Sequence, residues 1–136
     1  MRYAALFVAL WVVSTSPLVA RQHTEAMHRH MEAANVTNAV PATPKSIADG
    51  GTLFNRSCAS CHGKTGIGDG PAAKQLNPKP SNLVDGEWTH GTSDGEIFAV
   101  LRSGIPKTAM KGFASKMTEH EMWDVINYVR SLAPKQ

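Results

Sequence analysis

The clearest hydrophobic pattern lies near the C-terminus of the chain. Four apolar residues recur at i, i+3, i+4 and i+7, the spacing that places side chains on one face of an α-helix: Met122, Val125, Ile126 and Val129. Thr118 precedes them and Glu121 follows it three residues later, which is the arrangement of an N-terminal capping box. Pro134 lies just past the last apolar residue. The pattern predicts a helix over residues 119–132.

Two further capping boxes begin at Ser46 and Ser93, the first weaker because an Asp replaces the Glu. They predict helices over residues 47–60 and 94–103. The first of these contains adjacent glycines, although one glycine inside a helix costs about 1 kcal/mol relative to alanine. A close helix crossing at Gly50 favours two glycines there, and a frayed first turn is the alternative.

Residues 63–91 contain many glycines and prolines, in "GKTGIGDGP" and "LNPKPSNL", and are predicted to be loops. The three glycines of the first loop do not match a phosphate-binding pattern. No alternation of strand period appears anywhere in the chain. The sequence therefore predicts an all-α fold with long loops.

The N-terminal part differs in character. Arg2 is followed by an apolar run from Ala4 to Val13, a small and turn-forming stretch at Ser14–Pro17, and then Leu18–Ala20. This order is typical of a secretory signal peptide over residues 1–20. The apolar run has about half of the roughly 20 residues that a membrane span needs, so an uncleaved anchor is the less favoured interpretation. Cleavage near Ala20 is expected to leave no stable membrane span. We predict a mature protein in the periplasm.

Residues 21–44 lack a sustained apolar face and are predicted to form a flexible tether before a domain at 45–136. The tether contains three histidines whose metal binding the sequence leaves open: His23, His28 and His30. A solvated tail is the favoured interpretation.

Both cysteines lie in "CASCH", as Cys58 and Cys61 followed directly by His62. Three interpretations compete: a disulfide, half of a zinc site, or covalent attachment of haem. A disulfide with a two-residue spacer gains little from loop closure, and a tetrahedral zinc site needs further ligands. The histidine directly after the second cysteine favours haem attachment. A bound haem also explains how long loops belong to a compact domain.

With these motifs in place, residues 46–133 resemble a class I c-type cytochrome with one haem. Similarity is strongest to bacterial cytochromes c and to oxidase-subunit cytochrome c domains, which carry a loop like "GDGPAA…LNPKP.NL". The resemblance implies a cytochrome c fold, with three main helices and long loops around one covalent haem c. It also implies that Gly50 and Phe54 contact the last helix near Val125 and Tyr128.

The resemblance implies His62 and a loop methionine as iron ligands. Met110 in "IPKTAMKGF" fits that loop, although Lys111 stands where proline is common. Met117 fits a hydrophobic staple instead, and Met122 lies on the apolar face. The resemblance also suggests that the carbonyl of Pro71 accepts a hydrogen bond from the ring N–H of His62 that does not face the iron.

Two further residues are candidates to meet the haem propionates, Trp88 through its indole N–H and Arg102 through its charge. A core aromatic and a solvated helix residue are the respective alternatives. His90 and His120 are expected to be surface residues rather than ligands.

A His–Met iron carries single electrons and leaves no open position for a substrate, and no nucleophile–base arrangement suggests an enzyme. We predict an exported electron-transfer cytochrome. Alternatives are a dedicated haem subunit of a dehydrogenase or oxidase and, less favoured, a five-coordinate haem sensor or enzyme. Lysines in the haem-flanking loops indicate a redox partner (dehydrogenase, oxidase or reductase) with an acidic docking face. They do not indicate nucleic acid.

Overall fold

A computed structural model describes residues 32–133 of the chain. The predicted signal peptide and the three histidines of the tether (His23, His28 and His30) lie outside the described residues. Within residues 32–133 the only β-structure is an isolated antiparallel bridge between Gly104 and Lys111. The prediction of an all-α fold is confirmed.

Four α-helices and one 3₁₀ turn make up the regular structure. The helices are α1 (Pro44–Ser57), α2 (Ala59–His62), α3 (Asp94–Ser103) and α4 (Glu119–Leu132), and the 3₁₀ turn is Ala73–Gln75. Helices α3 and α4 have the predicted boundaries, and each begins with a complete capping box. The box satisfies two main-chain amides at each helix start, which is why short local signals were sufficient there.

Helix α1 begins earlier than the sequence predicted. Its N-cap is Thr43, whose hydroxyl accepts from the amide of Ser46 at 3.2 Å, and Pro44 occupies the first helical position. The fixed φ of proline suits that position, where no amide hydrogen is needed. The assignment of Ser46 as N-cap was therefore wrong, and Ser46 lies inside the helix. Helix α1 also ends at Ser57, before the two cysteines.

Helices α1 and α4 cross in close contact at the glycine pair. A Cβ atom on Gly50 would overlap the main-chain carbonyl of Asp124 and lie 3.0 Å from the amide nitrogen of Val125. Next to this point the rings of Phe54 and Tyr128 pack with centroids 5.3 Å apart. The close crossing is confirmed. Glycine is required at position 50 because a side chain there would separate the two backbones, whereas a Cβ on Gly51 would meet the ring of Tyr128.

Part of the predicted tether packs against the helices. The side-chain amide of Asn38 donates to Asn127 Oδ1 at 2.8 Å, and Asn127 Nδ2 donates to the carbonyl of Val40 at 3.0 Å. Val40 is 9% exposed and belongs to the core. Contacts with the helices thus begin before residue 45, because Asn127 on α4 supplies polar partners that the local sequence of the tether does not reveal.

Helix α3 packs on α4 through stacked rings of Phe98 and Trp123, whose centroids are 4.1 Å apart. The long loops between α2 and α3 and between α3 and α4 enclose a cavity together with the helices. None of the helices in residues 32–133 has the length and apolar character needed to cross a membrane.

Candidate functional site

The short helix α2 carries the "CASCH" motif and is held by the glycine-rich loop that follows it. The last carbonyls of a helix have no partners within the helix and must find them elsewhere. Here Ser60, Cys61 and His62 offer carbonyls that accept from three loop amides, at 2.9, 3.1 and 2.8 Å respectively: Ala72, Gly70 and Gly68. The loop therefore fixes the orientation of the motif.

The close fit of this loop explains its glycines. Any Cβ on Gly70 would lie only 2.6 Å from the carbonyl oxygen of Ala59, and one on Gly68 would lie 2.6 Å from that of Pro80. Gly68 also has φ +83°, a conformation that L side chains rarely adopt. These glycines serve chain packing around α2, in agreement with the absence of a phosphate-binding pattern.

Helix α2 opens onto a cavity of about 400 Å³. Its wall is mostly apolar and comes from α1, α3, α4 and both long loops. The apolar lining residues include Leu83, Ile97, Leu101, Phe113, Val125 and Val129. Five of the residues predicted for the site line this cavity: Cys58, Cys61, His62, Trp88 and Met110. A large apolar cavity with a few convergent polar groups is typical of a cofactor site.

The ring of His62 is oriented by a main-chain carbonyl. Its Nδ1 lies 3.1 Å from the carbonyl oxygen of Ser81. Pro71, which the family resemblance suggested for this role, is exposed and does not line the cavity. The loop beginning at Pro78 brings Ser81 to the ring, a long-range contact that spacing from His62 does not reveal. Burial lowers the pKa of His62, so the neutral imidazole, which is the form that binds iron, predominates near neutral pH.

Cys58 and Cys61 do not form a disulfide with each other. Cys58 is 8% exposed, and burial raises its pKa to about 11. The zinc interpretation receives no support from the described part of the chain, where no three His, Cys, Asp or Glu side chains are grouped to hold a metal ion. Two thiols beside an apolar cavity fit attachment of a large apolar group.

Met110 lies in a loop with defined internal hydrogen bonds. Its amide donates to Thr108 Oγ1 at 3.1 Å and its carbonyl accepts from the amide of Ile105 at 2.9 Å. Neither Met117 nor Met122 lines the cavity; they are 6% and 1% exposed and belong to the core. Of the three methionines between residues 32 and 133, Met110 is therefore the one placed to reach a ligand in the cavity.

Trp88 provides a test of whether the cavity suits a group with acidic substituents. In residues 32–133, its Nε1 is the one buried side-chain nitrogen or oxygen without a hydrogen-bond partner. An unpaired buried donor is costly, and Trp88 lines the cavity. The guanidinium of Arg130 covers the ring, 5.3 Å from its centroid. A bound carboxylate would supply the acceptor that the indole lacks.

Arg102 is placed elsewhere, contrary to the prediction. It does not line the cavity but faces a separate groove beside Trp123, and its guanidinium lies 3.7 Å from the carboxylate of Glu119. The helical register of α3 points Arg102 away from Leu101, which does line the cavity. His90, expected at the surface, also forms part of the cavity wall. His120 is exposed as expected.

Comparison with known proteins identifies the family. The sequence profile described as "Cytochrome c" matches residues 47–133, well over half of the chain. The chain is a member of the cytochrome c family. A covalently attached haem c follows from that membership, and Cys58 and Cys61 are the two thiols present to hold it.

Curated relatives of this cytochrome include subunits of cbb3-type cytochrome c oxidases. It is 39% identical over 95 residues to the FixP subunit of Bradyrhizobium sp. (strain ORS 278), covering 63% of this chain and 30% of that protein. It is 30% identical over 95 residues to the CcoP subunit of Rubrivivax gelatinosus, covering 70% and 29%. The chain thus spans about a third of the length of these relatives.

Solved structures also contain similar folds. A chain of the Kuenenia stuttgartiensis reducing HAO-like protein complex matches with a TM-score of 0.65 and 29% identity, over 72% of this chain and 49% of that one. Cytochrome cL of Methylophaga aminisulfidivorans matches with a TM-score of 0.57 and 23% identity, over 80% and 66%. The second match supports the fold alone.

Proposed function

We propose that this cytochrome is an exported carrier of single electrons, with His62 and Met110 as the two axial ligands of its haem iron. The observation that carries the proposal is that both side chains line one apolar cavity together with the two cysteines. Haem c supplies reversible one-electron chemistry at iron. The protein residues bind it, orient it and exclude water.

The proposed ligands suit electron transfer rather than substrate conversion. Two side-chain ligands leave no position for oxygen or another small molecule, and a thioether favours the reduced iron and raises the reduction potential. The hydrogen bonds within α2 and within the Met110 loop fix the backbone conformation at both proposed ligands. Little rearrangement is then needed when the charge on the iron changes.

Charge around the cavity supports docking to an acidic protein surface. Six lysines of the haem-flanking loops are exposed: Lys64, Lys74, Lys79, Lys107, Lys111 and Lys116. Two of them, Lys79 and Lys111, line the cavity, and both donate to main-chain carbonyls. The carboxyl group of Asp124 in α4 is buried and adds no negative charge to the protein surface. Positive charge near an exposed haem edge would steer association with a negatively charged partner.

A second candidate function is that of a permanent subunit of a redox complex. The matched relatives are named as subunits of cbb3-type oxidases, and one structural match belongs to a reducing HAO-like complex. Purification of the native protein from membranes and from the periplasm distinguishes the two, since a free carrier elutes at its own mass. Periplasmic location after cleavage near Ala20 is part of the same proposal.

The first test asks whether haem is attached and how its iron is ligated. Acid–acetone extraction should leave the colour on the protein, and the reduced protein should show no spectral change with carbon monoxide. An absorption band from sulfur-to-iron charge transfer is expected in the oxidised protein. A high-spin spectrum that responds to carbon monoxide would instead favour a five-coordinate haem.

A matched pair of variants tests which methionine binds the haem iron. Met110→Ala should abolish the sulfur-to-iron band and open the iron to carbon monoxide. Met117→Ala removes the same side chain from the core and should lower stability by about 2–5 kcal/mol while keeping the band. The assignment of Met110 fails if only Met117→Ala removes the band.

A further inference from the structure

We propose that Arg130 is a positioning residue of the haem site, which holds the indole of Trp88 so that its N–H donates to a carboxylate of the bound haem. The inference rests on the proposed function, because the acceptor belongs to the cofactor. Arg130 acts through Trp88, unlike Arg102, which was the candidate to meet a propionate through its own charge. Arg130 itself does not line the cavity.

Three contacts fix the guanidinium of Arg130. Its Nε donates to Asp94 Oδ1 at 2.8 Å and its Nη2 donates to the carbonyl of Thr92. Its Cζ lies over the ring of Trp88, 5.3 Å from the centroid. Arg130 is in the last turn of α4 and Asp94 in the first turn of α3. Each charge therefore lies where the helix dipole favours it.

The contacts of Arg130 help to fix the indole of Trp88, because Trp88 does not belong to a helix. It belongs to the irregular stretch between the 3₁₀ turn and α3. A side chain in such a loop loses conformational entropy when it is fixed. By connecting the loop carbonyl of Thr92, the start of α3 and the end of α4, Arg130 orders the indole before the haem binds. The buried Nε1 has no hydrogen-bond partner within the protein, so its N–H remains available for an acceptor on the haem.

An arginine suits this role better than a lysine. Its planar, delocalised cation stacks on an aromatic face and offers several N–H groups in a fixed geometry. An ammonium group supplies the same charge but not all three contacts. Arg130→Lys therefore separates the positioning effect from the electrostatic effect of a positive charge near the haem.

The test is hydrogen exchange of the Trp88 indole N–H, measured by NMR in the reduced, diamagnetic holoprotein and assigned through Trp88→Phe. Arg130→Met and Arg130→Lys should both accelerate this exchange by about tenfold, the factor that corresponds to about 1.4 kcal/mol. Arg102→Met is the matched control: it removes the same charge from an exposed arginine that does not line the cavity. It should leave the exchange rate unchanged. The amide of Ile126, which is 0% exposed, serves as an internal reference for global stability.

Three results would overturn the inference. The first is an unchanged indole exchange rate in Arg130→Met, and the second is a wild-type indole exchange rate in Arg130→Lys. The third is an acceleration of Ile126 amide exchange equal to that of the indole, which would mean that the variant only lowers overall stability. Failure of the proposed function is recognised separately, because it would appear in the wild-type holoprotein as a high-spin spectrum that changes with carbon monoxide.

Discussion

Gly50 of α1 lies directly against the main-chain carbonyl of Asp124 in α4, with no room for a Cβ atom between them. This contact sets the distance between the two longest helices of the described chain. The helices in turn supply Phe54, Val125 and Val129 to the cavity wall. A change at Gly50 should therefore affect both the stability of the fold and the fit of the cofactor.

Gly50→Ala is expected to lower the free energy of unfolding by about 1–3 kcal/mol, the usual cost of overpacking, because the obstructing atom is backbone and cannot rotate away. Urea denaturation of the holoprotein measures the change. Thr52→Ala, at an exposed position of the same helix, is the control and should stay within about 0.5 kcal/mol of wild type. A fully stable Gly50→Ala protein would contradict the crossing.

A buried polar network lies beside this crossing. The hydroxyl of Ser46 donates to Asp124 Oδ1 at 2.6 Å and accepts from Asn127 Nδ2 at 2.8 Å. Asp124 is only 4% exposed, and His120 Nε2 lies 3.6 Å from its other carboxylate oxygen. The network connects α1 and α4 where the two backbones approach most closely.

Ser46→Ala should destabilise the protein by about 1–3 kcal/mol, because it leaves a buried carboxylate without its hydroxyl donor. Ser131→Ala is the matched control. Its hydroxyl also makes a 2.6 Å hydrogen bond, to the carbonyl of Tyr128, but Ser131 is exposed. Thermal unfolding of both variants should show a clear loss only for Ser46→Ala. Equal losses would mean that burial of the Asp124 carboxylate does not matter.

Local signals in the sequence were sufficient for the features that depend on a few neighbouring residues. The capping boxes at Ser93 and Thr118 fixed the starts of α3 and α4, and the "CASCH" spacing predicted haem attachment. The family resemblance predicted the contact of Gly50 with the last helix. Each of these features is encoded by a short sequence motif.

Features that depend on distant residues could not be predicted. Ser81 lies nineteen positions from His62, and Arg130 reaches Thr92 and Asp94 from the end of the last helix. A main-chain acceptor leaves no mark in the sequence, since every residue has a carbonyl. Likewise, Asn127 accounts for the ordered residues near Val40 only once α4 is in place.

The capping box of α4 makes stability depend on pH. The amide and hydroxyl of Thr118 both donate to the carboxylate of Glu121, at 2.8 and 3.0 Å, and hold the pKa of Glu121 below its ordinary value of 4.5. A carboxyl group with a lowered folded-state pKa contributes stability above its unfolded-state pKa and loses it as the pH falls through the folded value.

Glu121→Gln should therefore lower the urea midpoint near neutral pH and have a progressively smaller effect as the pH falls below about 4.5. Glu119→Gln, a neighbouring exposed carboxylate in the same first turn, serves as the control for the helix dipole. A difference between wild type and Glu121→Gln that stays constant with pH would show that the ionised carboxylate is not the stabilising form.

The electrostatic part of the proposed function predicts opposite responses to oxidants of opposite charge. Lys111 is exposed and lines the cavity, so that its charge lies near the site of electron transfer. Lys111→Glu should slow oxidation of the reduced protein by an anionic oxidant such as ferricyanide, on the order of threefold at low ionic strength. A cationic cobalt complex should react faster with the same variant.

Lys45→Glu is the control, because it changes the net charge equally at a residue of α1 that does not line the cavity. Both effects of Lys111→Glu should shrink as added salt shortens the Debye length, and Lys45→Glu should produce much smaller changes at every salt concentration. Stopped-flow kinetics measure both reactions. Equal effects of the two variants would mean that only net charge matters, and the lysines around the cavity would then have no directing role in docking.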